Sequence, residues 1–246
     1  MTTILAAAAS GMYHQQLAID TIANNVANVN TEGFKRVRPL AQGQPQTGEL
    51  AQAKLGVALT TLDRIVAPGP VRTADNPLAF AILDDAFVPV RLPDGTTAYT
   101  RAALLRTDAA GNVVTPHGYL LDPPLVLPEG ATGARVDARG IVTATGADGN
   151  EVEVGRITLA RFPNPQGLLA LGEGLFAPSA NSGDAVLGAP GEDGFAAIAP
   201  GMAEGSNVDL AEELTNLLIA QRAYSATVRA FRVGDDMLAA ATKLTA

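Results

Sequence analysis

The 246 residues contain no cysteine and no tryptophan. Without cysteine there is no disulfide, no thiolate metal site and no cysteine nucleophile. Aromatics make up 4% of the chain against 47% hydrophobic residues, so Ala, Val and Leu must fill the core. Small aliphatic fillers suit thin layers and helix seams. Cations are also in the minority: 17 Lys and Arg face 25 Asp and Glu, a formal net charge of −8. A nucleic-acid partner needs a basic face, which this balance does not offer. No stretch reaches the roughly 18–20 apolar residues of a membrane span. The apolar run Ile4–Ala9 has no preceding Lys or Arg and is short for a secretory signal; the first basic residue is Lys35. The expectation is therefore neither a Sec-type signal nor membrane insertion.

What is present falls into three zones. Residues 3–30 and 207–244 read as helices, 34–55 as a polar connector, and about 56–200 as a Gly- and Pro-rich region of short strands. The first helix carries a seam of alternating three- and four-residue steps: Leu5, Ala8, Met12, Gln15, Ile19, Ile22, Val26, Val29. Such a 3.5-residue period is that of a coiled coil. Gly33 is expected to close this helix in the left-handed conformation. The last helix reads Leu210, Leu214, Leu217, Gln221, Tyr224, Val228, Phe231, Asp235, Leu238, capped by Ser206 or Asn207, with Gly234 marking a fray or bend. In the middle zone, Asp94-Gly95 and Asp148-Gly149 each separate two β-type runs and predict type I′ hairpins. Gly111-Asn112 marks a further turn, and 155–162 reads as one more strand. The fold class expected is α+β: two terminal helices pairing as a coiled coil, flanking an all-β antiparallel domain over 56–206.

Charge is nearly missing from the first thirty residues, where Asp20 is alone. A helix that faces water normally carries charge on its outer side. One with small and uncharged polar residues there is suited to packing on several sides. Two seams at opposite ends of one chain leave apolar surface that a lone pair cannot cover, which asks for neighbours. Repetition of one head-to-tail contact without closure gives a filament. The asparagines Asn24, Asn25, Asn28 and Asn30 admit two readings, a fraying helix end or amide hydrogen bonds between subunits.

Signals for chemistry are absent. His14 and His117 lie in different zones, and no cluster has metal-ligand spacing. There is no Walker loop, no G-x-G-x-x-G and no G-x-S-x-G. Asp84-Asp85 reads as a solvated pair, and 188–194 as a loop without the basic residue a phosphate cradle needs. No catalytic residue, cofactor or metal is expected. A secreted β-domain enzyme or binding module with helical arms is the reading from a different class; a convergent polar pocket would favour it.

Ala23-Asn24-Asn25-Val26-Ala27-Asn28-Val29-Asn30-Thr31-Glu32-Gly33-Phe34-Lys35-Arg36 resembles the N-terminal signature of the flagellar rod, hook and hook-associated axial proteins. The stretch from Ser206 through Glu213-Leu214 to Gln221-Arg222-Ala223-Tyr224 is similar to their C-terminal signature. Leu92 to Arg101, Leu159 to Pro165 and Leu171 to Phe176 look like their middle motifs. The resemblance implies a structural subunit of the basal-body rod whose terminal helices line an inner tube, with a β domain outside. Leu55-Gly56-Val57 followed by Pro68-Gly69-Pro70-Val71-Arg72-Thr73 is most similar to distal rod subunits, with the proximal rod as alternative. It further implies self-association, rod and hook neighbours, and passage through the flagellar type III export apparatus. The residues expected at assembly contacts are Leu5, Met12, Ile19, Ile22, Asn24, Asn25, Val26, Asn28 and Val29, with Leu210, Leu214, Leu217, Gln221, Tyr224, Val228, Phe231 and Leu238.

Overall fold

The computed structural model describes residues 2–43 and 57–244. Its contacts divide the chain into two units. The helical unit gathers residues 1–29, 36–65 and 208–246; the β unit gathers 30–35 and 66–207.

In the helical unit, α1 (Thr2–Ala27) and α2 (Leu210–Leu244) pack against each other, and β1 (Val37–Gly43) pairs antiparallel with β2 (Val57–Arg64). Part of the expected connector is thus a strand, Val37–Gly43; the rest of it, 44–55, lies outside the described residues, as do Leu55 and Gly56. Strand β2 groups with the helices and not with the β unit. Helix α1 stops at Ala27, short of the expected Asn30. Turn bonds follow, from the Asn28 N–H to the Asn24 and Asn25 carbonyls. Gly33 is left-handed as expected, φ 67°, but it does not cap the helix. It belongs to the β unit, where its N–H donates to the Glu204 carbonyl and a Cβ would stand 2.9 Å from the Ala102 nitrogen. The N-cap of α2 is Asp209, not Ser206 or Asn207. Its Oδ1 accepts from the Ala211 and Glu212 N–H groups, as a capping carboxylate does.

The β unit is built from short antiparallel strands. They are β3 (Val71–Thr73), β4 (Phe80–Ile82), β5 (Val88–Arg91), β6 (Thr97–Thr100), β7 (Arg106–Thr107), β8 (Val113–Val114), β9 (Leu120–Leu121), β10 (Gly133–Val136), β11 (Ile141–Thr145), β12 (Glu151–Arg156), β13 (Leu159–Arg161), β14 (Leu169–Gly172), β15 (Leu175–Ala177), β16 (Val186–Gly188), β17 (Ile198–Pro200) and β18 (Met202–Glu204). One sheet runs β14-β15-β6-β5-β9-β8-β7; a second runs β10-β11-β12; β13 pairs β16, β17 pairs β4, and β18 pairs β3. The strand expected over 155–162 is two strands, because Gly155 and Arg156 finish β12 beside a bulge. Phe80, Ile82, Val88, Val90, Leu105, Val113, Val142 and Leu159 are buried in the main core. The scarce aromatics are concentrated: Phe87, Tyr99, Phe162 and Phe176 form a second core, edge to face at 4.8–5.9 Å between ring centroids.

The hairpins use one turn repeatedly, and it is not type I′. Asp94 and Asp148 keep negative φ; only the following glycines are left-handed, Gly95 at 84° and Gly149 at 77°. In the first, the Gly95 N–H bonds the Leu92 carbonyl and the Leu92 N–H bonds the Thr96 carbonyl. This is a three-residue loop, a type I turn completed by a left-handed glycine. Pro93 suits its first position because its φ is already near that value. The same bonding recurs at 108–112, 115–119, 137–141 and 146–150. Carboxylates brace four of these loops, Asp137 by accepting the Arg139 and Ile141 N–H groups. Bonds from the Thr96 hydroxyl and N–H hold the Asp94 carboxyl below the usual range. The Asn112 amide and N–H do so for Asp108, and those of Asn150 for Asp148.

One carboxylate ties the root of the β unit. Glu204 accepts Lys35 Nζ on Oε1 and Arg101 Nε and Nη2 on Oε2, at 2.9 and 2.7 Å. All three side chains are buried to within 1% exposure. The Gly69 N–H adds a fourth donor, and Lys35 Nζ also reaches the Ala67 carbonyl. Arg101 spends its remaining donors on the Ile82, Asp84 and Ala86 carbonyls. Burial, and Arg101 next, pushes the Lys35 amine below its ordinary value. The carboxylate thus fastens 30–35, 66–70 and 203–207, where the chain enters and leaves this unit. Asp84, expected as solvated, is instead half-withdrawn: it pairs with Arg161 at 2.6 Å and accepts the Ala86 and Ala196 N–H groups.

Two outcomes follow from this bonding. Glu204→Gln strands two buried cations and should destabilise the β unit by about 3–5 kcal/mol. Lys35→Met leaves the Arg101 pair intact and should be milder, and adding it to Glu204→Gln should recover part of the loss. Urea unfolding of the full chain orders the three; equal losses from the two single variants would refute a shared carboxylate. Asp94, Asp108 and Asp148 have folded pKa values below their unfolded ones, so their contribution is complete above the ordinary value of about 3.9 and is lost as pH falls through the folded values. Asp94→Asn with Asp108→Asn and Asp148→Asn should therefore flatten the fall in unfolding midpoint between neutral pH and pH 2.

Candidate assembly surface

The two terminal helices run antiparallel. Ile22 and Ala18 of α1 share a buried cluster with Ala220 of α2, with Ile19, Val26 and Leu217 packed on it, while Gly11 faces Thr227 further along. On α1 the seam is met in part: Ala8 and Ile22 are buried and Leu5, Met12, Gln15, Ile19 and Val26 partly shielded, but Ala18, Thr21 and Asn25, off the seam, are buried as well, and Val29 lies beyond the helix. On α2 it is rotated. The shielded positions are Glu213, Asn216, Leu217, Ala220, Ala223, Tyr224, Thr227, Val228, Phe231, Gly234 and Leu238. One expected heptad row, Leu217-Tyr224-Phe231-Leu238, is there. In the other, Leu214, Gln221 and Asp235 are exposed and only Val228 is partly shielded, while Glu213-Ala220-Thr227-Gly234 turns inward. Small residues at these positions allow the helix axes to approach, so α1 lies over them and over Leu217, and not over Leu210, Leu214 and Leu218. Gly234 is buried inside a helix that continues to Leu244, so it marks close packing and no break.

The rotation leaves large apolar side chains in the open. Leu210 is 44% exposed, Leu214 47% and Leu218 57%, one ridge at four-residue steps; Ile219, Val233 and Met237 are exposed as well. Gln221 is also exposed, whereas Val228 is partly shielded. The ridge had a sequence signal in the Leu210-Leu214-Leu218 spacing, which an apolar seam search assigns to the inside. Scattered exposed leucines are ordinary, but an apolar ridge along a helix marks a contact surface.

Two polar fixtures hold the hairpin in this unit. Asn25 is 1% exposed, and its side chain mimics a strand: Nδ2 donates to the Val37 carbonyl at 2.7 Å and Oδ1 accepts the Val37 N–H at 3.0 Å. This use of Asn25 fits neither reading of the asparagine cluster. Asn28 bonds the Asn24 carbonyl within its own turn, and Asn24 is exposed. Arg36 grips the first turn of α2. It makes a two-pronged pair with Glu212 at 2.6 and 2.7 Å, and its Nε stands 2.7 Å from Glu213 Oε1. The Glu212 bond raises the Arg36 pKa, and the same bond lowers that of Glu212. Sequence reading placed neither contact, because each joins residues far apart in the chain through a side chain.

Between α1, β1 and α2 lies an open groove of about 220 Å³, lined by Ala18, Ile22, Val37, Pro39, Asn216, Ile219 and Ala220 and edged by Arg36, Arg38 and Glu213. Its walls are mainly apolar, and nothing in them converges as an acid–base pair or nucleophile would. His14 lies beside the α1 seam and His117 is exposed on the β unit. Among the described residues no group of three His, Cys, Asp or Glu could hold a metal ion, and no helix is long and apolar enough to cross a membrane.

Comparisons with known proteins bear on all parts of this chain. Residues 5–35 match the flagella basal body rod protein family, 81–144 the flagellar hook protein FlgE/F/G D1 domain, and 199–244 the flagellar basal body rod FlgEFG protein C-terminal family. The flagellar basal-body rod protein FlgG of Caulobacter vibrioides is 40% identical, with 98% of each chain covered. Its namesake in Borreliella burgdorferi is 37% identical over 99% of each chain. That of Bacillus subtilis is 32% identical, covering 93% of this chain and 94% of its own. The two terminal matches take in most of α1 and of α2, and the chain belongs to the FlgG family of flagellar basal-body rod proteins.

Proposed function

We propose that this chain is a structural subunit of the distal flagellar rod, not an enzyme, and that it polymerises through the open faces of its terminal helices. The family places it in the basal body of the bacterial flagellum. The observation that carries the mode of assembly is the ridge Leu210-Leu214-Leu218, left exposed on a helix whose opposite side is already packed. In this reading α1 and α2 continue as a coiled coil, and exposed positions such as Asn24 and Gln221 meet neighbouring copies. Of the expected bounds, 1–33 and 207–246 for the helical part, 34–55 for the connector and 56–206 for the β domain, contacts move 30–33 and 207 to the β unit and 57–65 to the helical unit, which we take as the part that polymerises. Other rod subunits and the hook are the neighbours. A flagellar hook protein of Brucella suis is 37% identical over 45% of this chain and 28% of its own, which supports kinship between rod and hook subunits. Delivery by the flagellar type III apparatus belongs to the same proposal, as the resemblance to rod and hook proteins implies.

Leu218→Asp tests the assembly face. The side chain is exposed in the subunit, so the unfolding midpoint should stay near that of the parent chain while incorporation into rods and swimming are lost. Leu217→Asp lies between the helices and should instead loosen the helical unit, since a buried unpaired carboxylate is costly. Glu153→Lys, on exposed strand β12, serves as the control and should assemble. Normal rods built from Leu218→Asp would remove this face from the proposal. For delivery, a chain lacking residues 2–20 should stay in the cytoplasm, and cleavage near Ala9 by signal peptidase would refute the route.

A further inference from the structure

Ridge and groove lie on different sides of the same helix. At about 100° per residue, Leu210, Leu214 and Leu218 centre roughly 150° around α2 from Glu213, Asn216, Ile219 and Ala220 on the groove wall. Two complementary features on one face could close a symmetric pair. Set on opposite sides, they cannot both be used in one pair of copies, and each bound copy presents a fresh ridge or groove to the next.

We infer that the groove between α1, β1 and α2 receives the Leu210-Leu214-Leu218 ridge of a second copy of this chain. This rests on the polymerisation reading above and names its contact. Shape and polarity agree: an apolar trough about 220 Å³ in volume, and a row of leucines 44–57% exposed. Charge agrees at one end of the ridge. At the groove, Arg36 and Arg38 are outnumbered by Glu212, Glu213, Asp209 and Asp63, which pair with them or lie close by. On the ridge side, Arg222 and Arg229 follow the leucines, both exposed and in no ion pair among the described residues. Arg222 and Arg229, past the C-terminal end of the ridge, are the cations that can meet the carboxylates at the groove's edge, whereas the N-terminal end of the ridge, beside Asp209, Glu212 and Glu213, is itself acidic. The hairpin is what makes the trough, so Asn25 and Arg36, which hold β1 in place, act as positioning residues for it.

Cysteine cross-linking tests the contact directly, since the chain has no cysteine of its own. Leu214→Cys places a thiol on the ridge and Asn216→Cys one in the groove. Co-assembled and oxidised, the two variants should give a mixed-disulfide dimer as the dominant product, and the double variant a ladder of higher oligomers. Either single variant alone should remain uncrosslinked. As a second readout, Arg222→Glu should reduce assembly without shifting the unfolding midpoint. A strong dimer from Leu214→Cys alone would show ridge on ridge and overturn the inference. So would rods that assemble normally from the mixture without the mixed disulfide, in which case polymerisation stands and this contact falls. Failure of the parent chain to enter rods at all would overturn both.

Discussion

Everything in the helical unit depends on how closely α1 and α2 approach, and that is set by small side chains. Ala8 and Ala18 on one helix, and Ala220, with Thr227 and Gly234, on the other, put small side chains along the seam, with Ile22 and Leu217 filling the space between them. A helix has a limited circumference. If one side is given largely to small residues, large apolar ones must sit elsewhere, and in α2 Leu210, Leu214 and Leu218 sit outside. The pair is therefore shielded along its own seam and apolar on its outer face at the same time. A protein that had to be finished alone would place its leucines in the seam and charges outside, the usual amphipathic solution.

That inversion explains which parts of the helices were legible in sequence. The α1 seam was read in part: Ala8 and Ile22 are buried as its spacing asks, but the buried Ala18, Thr21 and Asn25 lie off it. In α2, hydrophobic periodicity found two rows and had no means of choosing the second. Leu214 outscores Glu213 on any apolarity scale, yet the ion-paired Glu213 faces inward, and Thr227 is shielded beside Val228. Glu213 is tolerated there because Arg36 reaches it. Volume, not apolarity, decided the packing. Volume matching is a property of two surfaces together and cannot be read from either alone.

The β unit divides in the same way. Its turns were legible in position from Asp-Gly and Gly-Asn, since only glycine takes the left-handed site without strain. Their type was not, because the loop also contains the residue before the aspartate: Pro93 belongs to the turn and not to the strand. The tie at Glu204 was invisible. Its ligands come from residues 35, 69 and 101, and nothing local marks a glutamate near the end of a short strand as buried. The aromatic shortage, by contrast, was a real constraint on the fold. With eleven Phe and Tyr in the chain, four are concentrated in one edge-to-face cluster, and aliphatic residues fill the larger core.

An exposed ridge of this size also sets how assembly must proceed. Fully burying a leucine is worth about 1.5–3 kcal/mol, and these three are already about half covered, so the ridge offers only a few kcal/mol. Association of two proteins costs roughly 4–15 kcal/mol in lost freedom before any ordering of side chains. One ridge in one groove therefore does not hold two free subunits together at ordinary concentrations. A subunit arriving at a growing end can engage its ridge, its groove and the remaining exposed residues of α2 at once, and loses its freedom a single time for all of them. Weak individual contacts on opposite sides of a helix thus favour addition to an existing lattice over pairing in solution. Strengthening any one of them, for example by replacing Arg222 with another leucine, would push the balance toward aggregation away from the rod.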